Sequence, residues 1–129
     1  MLIEIQYDKI ITGVEFMLIT IFSSMIIIID QITKYLIRTN LALFEKIKII
    51  DDYFYFTFVK NRGAAFGIMQ GKRIFFIAIT LFFLVFIIYL YHKELPQNLL
   101  SKTAVSFLIG GSIANLIDRV KLHYVTDFI

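Results

Sequence analysis

The 129-residue chain has the length of one domain, yet 59% of it is hydrophobic and only 18% charged, with a mean hydropathy of +0.80; this excludes an ordinary soluble domain and a disordered one. A net charge of +3 scattered along the chain lacks the clustered Lys and Arg of a nucleic-acid footprint, so membrane lipid is the expected partner and nucleic acid is not. With no cysteine in the chain, disulfides, thiolate metal sites and a Cys nucleophile are all excluded.

Residues 16–29 carry no charge and run through Asp30 into QITKYLI, which predicts a first membrane span at about 14–37. A cleavable signal peptide would need small residues after the apolar run, where DQITK stands instead. An extramembrane β region is predicted over about 42–70. Within it YFYFTFV alternates, with Phe54, Phe56 and Phe58 on one face and Tyr53, Tyr55 and Thr57 on the other. Together with IKII and a turn near Asp51 and Asp52, this predicts a small sheet whose phenylalanine face lies on the membrane surface. The second span is predicted at 74–91, uncharged and bracketed by Lys72 and Arg73 before it and His92 and Lys93 after it, a pattern that fits headgroup contact. The third, at about 101–118, contains Ala104, Gly110, Gly111, Ser112 and Ala114, small residues that allow close helix packing. The fold class is therefore a mainly α membrane protein, one domain with a small sheet between its first two spans.

Ionisable groups near membrane depth need a partner or a function, which singles out Glu15, Asp30, Asp118, Arg119 and Asp127. Asp30 lies one turn before Lys34, the spacing of an interfacial ion pair with a snorkelling lysine. Asn115, Asp118 and Arg119 share one helical face by their spacing, as a structural polar cluster or a site. Asp118 beside Arg119 reads as an ion pair, whereas Asp127, between Val125 and Phe128, has the apolar surroundings that suit a catalytic acid. NRGAAFGIMQGK is not a phosphate-binding loop, because three residues rather than four separate Gly67 from Gly71 and Arg73 stands where Ser or Thr should be. Asn61 and the nearby glycines read instead as an irregular loop that lets backbone approach a ligand. His92 and His123 are the only histidines and lie far apart, so metal catalysis is discarded.

DQITKYLI (30–37), VKNRGAAFGI (59–68) and GGSIANLIDRVKLHYVTDFI (110–129) together resemble, in order and spacing, the signature segments of lipoprotein signal peptidases, also called signal peptidase II, aspartic peptidase family A8. The resemblance implies a multi-pass enzyme of the bacterial cytoplasmic (inner) membrane, expected as a monomer. Such an enzyme removes signal peptides from diacylglyceryl-modified prolipoproteins, cutting before the lipidated cysteine with two aspartates near the outer face and with no metal or cofactor. By the same match Asp127 is the first catalytic aspartate. Asn61, Asn115 and Arg119 would line the site and hold substrate, Gly63 would let the loop approach it, and Asp30 would be polar support. Asp118 would be ion-paired support, and is the runner-up for a direct catalytic role.

Ala114 departs from the glycine usual in the family. The family's second aspartate lies in an N-x-A-D segment followed by a fourth span. The 129 residues contain no such segment, so the chain resembles a C-terminally truncated member with half of the dyad. Met17 fits the family's usual start, with residues 1–16 as an addition. Two other readings stay open: a truncated, non-catalytic membrane protein that binds lipopeptides, and a proton or ion conductor using Asp30, Asp118 and Asp127. Charge also conflicts with the family's orientation. Segment 31–73 holds eight Lys and Arg, and the positive-inside rule would place inside what the resemblance places outside.

Overall fold

The computed structural model describes residues 2–50, 53–63 and 68–128. Their order is α1 (Leu2–Asn40), β1 (Lys46–Ile50), β2 (Phe54–Asn61), α2 (Arg73–Lys93), α3 (Leu99–Leu122) and β3 (Val125–Phe128). Gly13–Asn40, Arg73–Lys93 and Leu99–Leu122 are each long and apolar enough to cross a membrane, since a rise of about 1.5 Å per residue carries each across a hydrocarbon core of roughly 30 Å. The helix that holds the first span begins at Leu2 rather than near residue 14.

The link from α2 to α3 is short, and its residues explain its sharpness. Pro96 cannot continue a helix, Gln97 Nε2 donates to the Tyr91 carbonyl at 2.7 Å, and Asn98 Oδ1 caps α3 by accepting from the Ser101 N–H at 2.9 Å. So short a connection makes α2 and α3 antiparallel neighbours. α3 packs against both α1 and α2, and Ile19, Ile87, Tyr91 and Val105 bring all three helices into one apolar core.

The close approach of α1 and α3 depends on a narrower set of small residues than the sequence suggested. Gly111 faces open space, but a Cβ at Gly110 would lie 2.8 Å from Ile26 Cβ and 3.0 Å from the Ser23 carbonyl. One turn earlier, Ser106 offers its own carbonyl to the Ser23 hydroxyl at 3.2 Å. Ser106, Gly110 and Ala114 are buried, as is Asp118. These four recur every fourth residue, so the stripe that lets α1 come close ends on a carboxylate. Ala104 is exposed. Ala114 is fully buried, and its methyl is accommodated in the seam.

The sheet has the order β1-β2-β3. β1 pairs antiparallel with β2, and β2 antiparallel with β3 through Phe58↔Phe128, Val59↔Asp127, Lys60↔Thr126 and Asn61↔Val125. The strand β3 was not foreseen: VTDF is too short to show a period and follows a helix directly, turned by His123 in the left-handed conformation (φ 67°). Its presence also corrects the expected membrane-facing phenylalanine surface. Phe58 is buried, and Phe56 stands edge-on to Phe128 with ring centroids 5.8 Å apart, so these rings pack against protein. The turn expected near Asp51 and Asp52, the side chain of Phe54 and loop residues 64–67 lie outside the described residues.

Candidate functional site

Four polar residues of α1 lie on one side of the helix just after its apolar run: Asp30, Gln31, Lys34 and Arg38. They meet α3 where its small-residue stripe ends. Lys34 is the hub: its ammonium lies 2.9 Å from Asp30 Oδ2 and 3.3 Å from Asp118 Oδ2, and it donates to Asn115 Oδ1 at 2.8 Å. The expected Asp30–Lys34 pair is therefore present, but Lys34 does not snorkel. Its side chain is 3% exposed, because α3 covers it and supplies a second carboxylate and an amide in place of water.

Asp118 is 1% exposed, and both of its oxygens are engaged. Oδ1 accepts from Gln31 Nε2 at 3.2 Å and lies 3.8 Å from the Arg38 guanidinium. Oδ2 faces Lys34 and accepts from the Thr126 backbone N–H at 3.0 Å. The expected pairing with Arg119 is corrected: among the described residues the cations within ion-pair distance of Asp118 are Lys34 and Arg38. Adjacent helical residues point about 100° apart, so Asp118 turns into the α1 seam while Arg119 faces α2. Arg38 also donates to Thr126 Oγ1 at 2.8 Å. The network thus ties α1, α3 and the start of β3 together.

Asp127 lies in a simpler setting. On the β2–β3 ladder Asn61 sits opposite Val125 and Val59 opposite Asp127, which makes Asn61 and Asp127 diagonal neighbours on one face. Asn61 Nδ2 donates to Asp127 Oδ2 at 2.7 Å, while its Oδ1 accepts from the Gly63 N–H at 2.9 Å. The amide therefore orients the carboxylate and holds the first turn of the NRGAAFG loop. Asp127 is half-buried, and among the described residues no cation lies within ion-pair distance of it.

Arg119 completes the group. Its guanidinium carbon lies 5.3 Å from the centre of the Phe76 ring, within reach of the fields of Asp127 and Asp118, and among the described residues its N–H groups make no hydrogen bond. The expected site residues thus divide in two. Asp30, Asn115 and Asp118 belong to a buried ionic network, whereas Asn61, Gly63 and Asp127 form a second group on the sheet, with Arg119 beside it. Sequence reasoning missed Gln31, Arg38, Thr126 and Arg73, whose guanidinium donates to the Arg119 and Val120 carbonyls. The first two had a visible signal, since 31, 34 and 38 repeat at helical spacing; the others depend on tertiary contacts.

Glu15, also flagged as needing a partner, pairs with Lys102 at 2.8 Å. Glu15 also borders a cavity of about 280 Å³ between the three helices, lined mainly by apolar side chains such as Ile19, Ile88 and Val105 and by none of the site residues. Among the described residues no three acidic, His or Cys side chains converge as a metal would need.

Residues 22–129 match the model of the signal peptidase (SPase) II family. Over 104 residues the chain is 45% identical to the lipoprotein signal peptidase of Caldanaerobacter subterraneus subsp. tengcongensis, covering 81% of this chain and 71% of that one. Over 109 residues it is 44% identical to the lipoprotein signal peptidase of Shouchella clausii, covering 84% and 72%. A solved bacterial membrane enzyme superposes with a TM-score of 0.78 at 35% identity, covering 85% of this chain and 67% of the other.

Proposed function

The chain belongs to the signal peptidase II family, and from that premise we propose how its residues divide the work of removing signal peptides from prolipoproteins. The chain is an aspartic peptidase whose described residues include three helices long and apolar enough to cross a membrane. The finer assignments are that the substrate carries diacylglyceryl on the cysteine after the cut and that Asp127 acts on the attacking water. The observation that carries the second is the contrast between the carboxylates: Asn61 engages Asp127 Oδ2 and leaves Oδ1 to take a proton from water, whereas both oxygens of Asp118 are already engaged.

In an aspartic dyad one carboxylate accepts the proton of water while the other, protonated, polarises the scissile carbonyl. The second carboxylate is assigned to an N-x-A-D segment of the kind the family resemblance implies. Arg119, with its donors unspent, is placed to hold a substrate carbonyl near Asp127. Asn115 is occupied by Lys34, so its role is proposed to be support of that network rather than direct contact with substrate.

We place the enzyme in the bacterial inner membrane as a monomer, with the sheet and both aspartates near the outer face. The charge conflict weakens because three of the cations in 31–73 are engaged by the fold itself. Lys34 and Arg38 face the buried Asp118, and Arg73 binds α3 carbonyls. Charges engaged inside the fold interact less with anionic lipid. Because the chain has no cysteine, a single cysteine at Lys46 tests this: an impermeant thiol reagent should label it on intact cells. Labelling only after permeabilisation would reverse the orientation.

The activity itself is tested by incubating the purified protein, in a form that carries an N-x-A-D segment, with a diacylglyceryl-modified prolipoprotein and identifying the products by mass spectrometry. A new N-terminus at the lipidated cysteine is expected. Cleavage elsewhere, or equal cleavage of the unlipidated precursor, would refute the substrate assignment.

A further inference from the structure

α3 ends by exposing its last carbonyls, which have no partners within the helix and carry the negative end of its dipole. Arg73, the first residue of α2, meets two of them: Nε donates to the Arg119 carbonyl at 2.8 Å and a terminal nitrogen donates to the Val120 carbonyl at 3.0 Å. A planar guanidinium bonded at two points fixes direction as well as distance. The start of α2 is thereby locked to the end of α3. One turn on, the Phe76 ring is buried at 7% exposure, braced edge-on by Phe75 with centroids 5.4 Å apart, and the Arg119 guanidinium lies over it. Arg73 grips the backbone of Arg119 while Phe76 carries its side chain.

A guanidinium that lies over a ring face, on a turn whose backbone carbonyls Arg73 holds, is oriented without use of its own N–H groups. Those donors would otherwise be spent on the nearest carboxylate. We propose that Arg73 and Phe76 are positioning residues that aim the Arg119 guanidinium, donors free, at the substrate carbonyl attacked beside Asp127. This rests on the roles proposed above for Asp127 and Arg119. Neither Arg73 nor Phe76 touches the reacting atoms; each acts through Arg119.

The test combines kinetics with a readout independent of turnover. Phe76→Leu keeps apolar bulk but removes the ring face, and should lower kcat/KM for the lipidated prolipoprotein about threefold to thirtyfold, the range of a partly desolvated cation–π contact. The fall should lie mainly in kcat, as for an interaction that strengthens at the transition state, and Phe76→Tyr should restore it. Arg73→Gln should act in the same direction, with Arg73→Lys restoring only part. In an Arg119→Lys background the Phe76→Leu effect should shrink, because the two residues act as one unit. Independently, the Arg119 Nε–H resonance in proton–nitrogen spectra should carry a ring-current shift that Phe76→Leu abolishes. Additive effects with Arg119→Lys, or an unchanged Arg119 resonance in Phe76→Leu, would overturn the inference. Were a form carrying both aspartates to cleave no lipidated prolipoprotein, the proposed function would fall, and the resonance alone would still decide whether Phe76 holds Arg119.

Discussion

Asp118 and Asp127 stand nine positions apart in sequence at the same end of the bundle, yet their surroundings differ in nearly every respect. Asp118 is 1% exposed and meets two cations, an amide and a backbone N–H. Asp127 is half-buried, on a strand, and is held by one amide. A buried carboxylate with both oxygens engaged fixes structure. One with an oxygen to spare, oriented by a single donor and backed by a cation with unspent N–H groups, can do chemistry. Proximity to a motif does not separate the two; the satisfaction of each oxygen does.

The largest effect is expected where the buried network is broken at its hub. Lys34→Met would leave Asp30 and Asp118 facing each other without their shared cation. Removing one partner of a buried pair costs about 3 to 5 kcal/mol, so chemical denaturation should show a loss of that size, with little folded protein at raised temperature. Retention of wild-type stability would mean that Asp118 is not structural, and the contrast would collapse.

Asn61→Ala should act at the other aspartate. It removes the donor to Asp127 and the acceptor for the Gly63 N–H. A hydrogen bond to a charged group contributes about 1.5 to 3 kcal/mol, so kcat/KM should fall roughly tenfold to a hundredfold while the unfolding midpoint moves little. A large drop in stability with intact turnover would show that the β2–β3 contact is scaffolding.

The smallest change sharpens the contrast from a distance. Gly110→Ala forces a Cβ against Ile26 Cβ at 2.8 Å, an atom next to the backbone that cannot swing away. Overpacking of this kind costs about 1 to 3 kcal/mol, and it should loosen the α1–α3 seam that holds Asp118. Cleavage per folded molecule should be nearly unchanged, because Asp127 is held by β2.

Much of this was legible in the sequence, for physical reasons. Three long apolar runs can hardly be other than spans, and YFYFTFV has a strand's period, so α1, α2, α3 and β2 were all predicted. What escaped was long-range. Nothing local says that VTDF pairs with FVKN, and that pairing turns Phe58 inward and brings Asn61 to Asp127. Nor could adjacency in the chain show that Asp118 would turn from Arg119 to Lys34 and Arg38, since that depends on α1 approaching along Ser106, Gly110 and Ala114. Arg73 read as a headgroup cation because a bracketing charge and a helix clamp look alike until the partner helix is in place.

The most direct measurement sets Asp127→Asn beside Asp118→Asn, recording for each the rate of prolipoprotein cleavage and the free energy of unfolding, in a protein whose unsubstituted form cleaves. Asp127→Asn should remain as stable as the parent and lose about a hundredfold to ten-thousandfold in rate, the usual contribution of a positioned general base. Asp118→Asn should instead be markedly destabilised, with weaker substrate binding as well as slower turnover. A stable, inactive Asp118→Asn protein alongside an active Asp127→Asn protein would contradict the account and exchange the roles of the two aspartates.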